Sequence, residues 1–456
     1  APDNMADNEL EQADNAFLDP RGSISKRRGT EVLNEEPYEG DEVEQLIEWA
    51  KDDGSTELLA VIDNKLYRID PEDGARSEIQ ALDRNFVGYI AFQNRLYFVD
   101  GEEIYVYDGS SVSIARPRIF HSAPVGGPFQ VGETITGGNS SATATVDLVG
   151  DGFVGVSNVT GAFEDGEVIA GGTSGAEATI TEIQPGVAAD NVLGSIAKSK
   201  FLVRHGRSFR IFAAGVSDDP AALYFSEPND PTYFKAMSKL YPTHGDGPVT
   251  ALATFADAVL VFFKNSIWAF KGVDPNGEEG NASWTRLPVP EGTVAPRSLA
   301  LTPNSLTFLG EGGLYAITPA ILFAQDVAIQ PSEETVPNLA RNRVVRLINS
   351  IVHPETAAAV WDRAQNRYML AYGDDSESER NNRVLVLHWG MGFTRYTGWN
   401  VNDFLLTRSG EILFGTHEHI VRTEQGYTDR GEAIEFRIRT KAYHLGDPVS
   451  PKKLHS

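Results

Sequence analysis

The chain contains no cysteine, which excludes a disulfide framework and any thiolate metal site. That absence favours assembly in a reducing compartment. No apolar run approaches the roughly 20 residues that a helix needs to cross a bilayer, and the opening APDNMADNELEQADN is acidic and polar, the opposite of a secretory leader. The expectation is a protein that neither binds membranes nor carries an export signal here. Positive charge is also scarce, with 39 Lys and Arg against 64 Asp and Glu, a formal net charge of −25. Such a balance repels nucleic acid unless the basic groups gather on one face, so sequence-specific DNA binding is disfavoured. No Gly-x-Ser-x-Gly elbow, Walker loop or dinucleotide fingerprint occurs, and the sequence assigns no catalytic residue and no cofactor.

What is abundant points to strands and turns. The chain has 43 glycines and 24 prolines, and short apolar runs recur at near-regular spacing, the signature of a meandering sheet. Residues 57–70 read as a hairpin about Asp63 and Asn64. Residues 86–109 read as three strands turning at Gln93-Asn94 and Asp100-Gly101, and residues 252–270 as three strands broken at Ala256-Asp257 and Lys264-Asn265. Asn and Asp suit these turns because they tolerate left-handed backbone angles and bond their own main chain. Each unit is the size of a propeller blade, and a succession of blades buries sheet faces without long exposed edges. The fold class is therefore all-β, a β-propeller core with a small inserted β-domain and one short connecting helix.

The inserted domain is marked by a duplication. FQVGETITGGNSSATATV (129–146) and FEDGEVIAGGTSGAEATI (163–180) align without gaps and agree at ten of 18 positions. β-Branched alternation and Gly-Gly pairs make this a strand repeat and not a helical one. The surrounding span, 122–190, holds nine acidic residues and no lysine or arginine, a composition shift that sets a domain boundary. The chain thus divides into an acidic N-terminal arm (1–50), a first part of the propeller (51–121), the insertion (122–190) and the remaining blades with the C-terminal strands (191–456). A helix is expected over Val336 to Ser350, with Thr335 as cap and Pro337 in the first turn.

Few residues invite chemistry. His417 and His419 are two apart in an expected strand, where both would leave one face and could share a metal; no third ligand follows, and no metal is assigned. The carboxylate-rich loops 373–382 and 273–281 lack the order of a known calcium loop, and His244 has no evident partners. Trp361, Trp389 and Trp399 could stack on sugars but suit a core equally. Within the arm, Lys26, Arg27 and Arg28 form the one compact basic cluster, a candidate contact to an acidic partner.

Several passages together resemble the phage tail hub and nozzle family, which includes the packaged-DNA stabilisation proteins and tail tubular proteins of short-tailed phages. They are Asn15–Asn34 (NAFLDPRGSISKRRGTEVLN), Leu223–Phe234 with the following strands to Gly272, Trp361–Tyr372 (WDRAQNRYMLAY) and Arg439–Lys453 (RTKAYHLGDPVSPKK). The resemblance implies a non-enzymatic virion component that oligomerises into a ring, a hexamer in the family, below the portal and adaptor. It implies contacts with other tail proteins or fibres, and a channel that retains DNA and passes it without specific binding. The N-terminal arm would be an assembly element whose removal, residues 1–34, spares subunit solubility. The rival expectation is a propeller that binds or cleaves host polysaccharide.

Overall fold

A computed structural model describes residues 10–243, 245–275, 283–323, 345–374 and 381–440. Seven antiparallel sheets follow one another around a ring. Blade 1 comprises Val43–Ala50, Thr56–Ile62, Lys65–Ile69 and Arg76–Ala81; blade 2 comprises Gly88–Phe92, Arg95–Val99, Ile104–Tyr107 and Val112–Ile114. Blades 3 and 4 start at Phe201–His205 and Ala251–Phe255, and each has four strands. Blade 5 has three among the described residues (Ala300–Thr302, Ser305–Leu309, Leu314–Ile317), and blades 6 and 7 start at Ala358–Asp362 and Asp403–Leu406. The expected hairpins are present: Asp63, Asn64, Gln93, Asn94, Ala256 and Asp257 all have φ between 44° and 59°, the backbone that a two-residue primed turn requires.

Hydrophobic burial explains why the sheets form a ring. Successive blades face each other through apolar clusters, for example Ile47, Trp49 and Leu59 of blade 1 against Leu96 and Phe98 of blade 2. Another joins Leu46 and Ile62 of blade 1 to Leu413 and Ile420 of blade 7, so the circle is closed. Each sheet is thereby covered on both faces, and the middle strands read as continuous buried runs, as in Ala258–Phe262 and Arg367–Tyr372.

The N-terminal segment differs from the expected arm. Gly29–Val32 pairs antiparallel with Ile420–Gln425 and supplies the outer strand of blade 7. Leu10–Asp14 pairs with Arg437–Thr440 and touches blade 6 through Asp14 and Arg395. Residues 43–50, assigned to the arm by composition, are the innermost strand of blade 1. The charged character of 1–50 misleads because a blade strand can carry acids on exposed positions while its apolar positions pack inward.

The insertion is a closed six-stranded barrel with its own core of Ile119, Ile135, Val146, Val154, Ile169 and Ile180. Its first strand, Arg118–His121, lies just outside the expected span and pairs with both Phe153–Thr160 and Glu177–Ile183. Of the expected helix, Val345–Ile348 is a single α-helical turn; 336–344 lie outside the described residues.

Candidate functional site

Three passages distant in sequence meet where blades 6 and 7 join. A tight turn at Asp19–Gly22 folds Ala16–Leu18 back on Ile24–Lys26; Asp19 accepts the Arg21 N–H at 2.8 Å and Gly22 takes φ +88°. The hairpin delivers Arg27 into the protein, where it is 1% exposed. Its guanidinium donates to Asn15 Oδ1 at 2.9 Å, to the Thr397 carbonyl at 3.1 Å and to both Asp429 oxygens at 2.8 and 2.5 Å. It also lies 4.9 Å from the Trp399 ring centroid and 5.2 Å from that of Tyr396. A buried charge is tolerable only when paired and fully bonded, and Arg27 is both. Asn15, at φ 52°, completes the knot by donating to Thr397 Oγ1 and the Glu435 carbonyl. Gly29 follows because a Cβ there would stand 1.9 Å from the Thr428 carbonyl oxygen.

Arg27 therefore leaves the candidate contact set: its charge is spent inside the ring closure and cannot meet another subunit. Lys26 and Arg28 behave differently. Lys26 reaches the Tyr427 carbonyl at 3.3 Å, and Arg28 is exposed with its guanidinium 4.8 Å from the Tyr427 ring centroid. Tyr427 itself is 62% exposed, and Ile24, two residues before Lys26, is 40% exposed. The result is a surface patch of two cations, an aromatic ring and an aliphatic side chain. Residues 1–34, expected to be an arm whose removal spares solubility, are built into the ring: they include a blade strand and the partner of Asp429.

A second buried arginine lies alongside. Arg367 is fully buried, donates to Asp362 at 2.9 Å and to the Tyr396 hydroxyl at 2.7 Å, and pairs with Glu424. Burial would lower its pKa, but Tyr396, Glu424 and Asp362 outweigh it and the net shift is upward. His388, next to it, is pushed down to about 3 by burial and by the Arg367 charge, so it is a neutral core group bonded to Thr394 at 2.9 Å.

The barrel is braced by its duplicated residues. Glu133, 4% exposed, accepts the Thr173 and Ser174 N–H groups at 3.0 and 2.9 Å and the Gln130 N–H at 2.7 Å. Glu167, 2% exposed, accepts the Asn139 and Ser140 N–H groups at 3.0 Å each and the Glu164 N–H at 2.7 Å. Each repeat's glutamate thus holds the Gly-Gly-x-Ser loop of the other repeat. The central strands pair as Ile135 with Gly171, Thr136 with Ala170 and Gly137 with Ile169, a register symmetric about Thr136 and Ala170. Burial acts to raise both carboxyl pKa values, yet the converging backbone donors win and both fall below the usual glutamate value. Arg116 fastens the barrel to the ring, bonding Asp147 of the barrel at 2.5 Å and Glu103 of blade 2 at 2.8 Å.

The other residues singled out in the sequence are dispersed. His417 and His419 do not lie in a strand as expected: they sit in the turn between Ile412–Gly415 and Ile420–Gln425, where Glu418 adopts φ 64°. His419 contacts the Asn34 carbonyl at 3.2 Å, whereas His417 lies 3.7 Å from Glu418 and 4.0 Å from Glu42. Among the described residues no cluster of three or more metal-ligating side chains occurs. Trp361 and Trp389 pack edge to face at 5.5 Å, and Trp399 stacks on Phe414 at 5.1 Å, all within inter-blade cores. His244 and residues 276–281 and 375–380 of the acidic loops lie outside the described residues. Asn15, Asp429 and the two glutamates escaped the sequence reading. For the glutamates a signal existed, their identical place in the repeat.

No protein family and no curated protein matches this sequence. Among solved structures, the chain is similar to BBS1N in its complex with ARL6DN (14% identity, TM-score 0.33), covering 87% of this chain and 96% of that one. It is also similar to streptogramin B lyase (11% identity, TM-score 0.32, covering 87% and 97%) and to the Neurospora crassa Pan2 WD40 domain (10% identity, TM-score 0.31, covering 87% and 95%). Likenesses of this size carry nothing about activity, and the propeller assignment rests on the strand topology of the chain itself.

Proposed function

We propose that the chain is a structural subunit of a phage tail hub or nozzle, a rigid propeller that assembles with copies of itself below a portal and adaptor and takes part in retaining and releasing DNA. One observation supports this reading above others. Asn15–Asn34, Trp361–Tyr372 and the start of Arg439–Lys453, which carry the resemblance to that family, come together at the closure of the ring: Phe17 lies over Arg367, and Gln12 pairs with Arg439. The role of the subunit is mechanical. Sheets covered on both faces give a stiff wall, the Lys26–Arg28–Tyr427 patch offers a contact, and the charge of −25 disfavours adhesion of DNA.

The test is assembly. The purified chain, mixed with its neighbouring tail proteins and viewed by electron microscopy, should form rings of one stoichiometry. The double variant K26E/R28E should keep the melting temperature of the wild type while losing rings. A chain that stays monomeric throughout, or a double variant that assembles normally, overturns the reading. Duplex DNA binding at physiological salt that weakens steeply as salt rises would equally count against it, because that dependence marks phosphate contacts.

A further inference from the structure

The first strand of each blade lines the axis of the ring, as shown by the contacts of blade 2 with 3, 3 with 4, 5 with 6, 6 with 7 and 7 with 1 through those strands. The segments leading into six of them converge on one mouth, a cleft of about 570 Å³. Its floor is apolar, with Phe86, Phe201 and Val249, and three cations stand around it: Arg84, Lys200 and Arg297. That is the composition of a small-molecule site, mostly apolar with a few convergent polar groups.

The three cations are not equivalent. Arg297 is consumed by the protein: it donates to the carbonyls of Glu44 at 3.1 Å and Asn402 at 3.0 Å and covers the Phe86 ring at 5.6 Å. Arg84 is seated but only partly used. Its guanidinium donates to the Ser199 carbonyl at 3.0 Å and packs on Gly101, where a Cβ would stand 2.4 Å from Nε. Lys200 is exposed, and its side-chain ammonium has no hydrogen bond or ion pair among the described residues. The carboxylates of the cleft are two, Glu44, which accepts from Asn85 at 3.3 Å, and Glu355, 3.3 Å from His353. Three cations against these two carboxylates leave the lining net positive, and Lys200 stands next to Phe201.

We propose that the mouth binds a small organic anion, one carboxylate or phosphate group held by Lys200 and Arg84 with an apolar ring or chain against Phe86 and Phe201. The inference does not depend on the assembly role, since it concerns the axis of one subunit and not its rim.

Phenyl phosphate and benzoate are the probes, titrated into the full-length protein by calorimetry, with benzylamine and inorganic phosphate as controls. At least one aromatic anion should bind in the millimolar range or tighter, about tenfold or more above both controls, the factor expected for one charge-assisted hydrogen bond added to apolar burial. Lys200→Gln should weaken that binding about tenfold without changing the melting temperature, because Lys200 is exposed and unpaired; Phe201→Ala should weaken it as well. Which of the two anions binds better separates a phosphate ligand from a carboxylate. No binding of either up to about 10 mM, a range where even weak fragments register, overturns the proposal. So does equal affinity for benzylamine, or for phosphate alone, or an unaffected Lys200→Gln variant.

Discussion

If the barrel is braced across its two repeats, damage to one repeat should appear in the other. In Glu133→Gln the amide oxygen can take one of the two carboxylate positions, keeping either the Thr173 and Ser174 donors or the Gln130 donor. Its NH2 then confronts the donors that remain. Losing one charge-assisted bond and setting a donor against a donor costs about 3 kcal/mol, equivalent to roughly a hundredfold in the local opening equilibrium. Amide exchange read by NMR or mass spectrometry should quicken by about that factor among the donors Glu133 holds, at 173–174 or at Gln130 according to which faces the new NH2, while residues 139–140, held by Glu167, keep their protection. Glu167→Gln should show the mirror pattern. The reasoning is refuted if Glu133→Gln loosens 139–140 as much as the donors Glu133 holds, which would mean global opening, or if none of them changes.

Three further outcomes are expected. Cutting out residues 118–185 and joining Pro117 to Gly186 through a short Gly-Ser bridge should leave the propeller folded by circular dichroism, because a Cβ on Gly186 would stand only 3.0 Å from Pro117 Cβ; loss of the remaining β signal would show the barrel to be integral to the ring. Arg27→Ala should destabilise the protein by about 3–5 kcal/mol in urea unfolding, the cost of leaving Asp429 and its neighbours without their partner, whereas Arg28→Ala should cost under about 1 kcal/mol. The third outcome concerns pH: His388 has a depressed pKa, so its neutral form stabilises the fold fully above the unfolded value near 6.5 and less as pH falls toward 3. The stability gap between wild type and His388→Gln should accordingly shrink on going from pH 6 to pH 5, by up to about 1.4 kcal/mol, and a gap that widens would contradict the assignment.

Local chemistry made much of the fold legible. Asn64, Asn94 and Asp257 mark primed turns because few other residues accept those angles, and the strands around them follow from alternation. The insertion announced itself by duplication. What could not be read was pairing across the chain: nothing local to Gly29–Val32 says that its partner is Ile420–Gln425, and a run of three cations gives no hint that the middle one is buried. The two histidines show the complementary failure. Strand spacing placed them together, but one residue, Glu418, turns left-handed where its carbonyl accepts the Tyr38 N–H and an Asn34 side-chain N–H from the N-terminal segment, and tertiary context overrides the local pattern. At the axial mouth, no motif connects Arg84, Lys200 and Phe201, because the cleft is made by segments of six blades.

The closure of the ring has a consequence for biosynthesis. Gly29 finds its partner Gln425 only after nearly the whole propeller has left the ribosome, so a strand made at the start is among the last to be placed. Contacts of such separation are slow to form, since the chain must lose the freedom of the intervening loop before the pairing compensates it. Until then Lys26 and Arg28 have no Tyr427 beside them. A truncated or half-folded chain does not display the patch at all; the finished ring alone presents it.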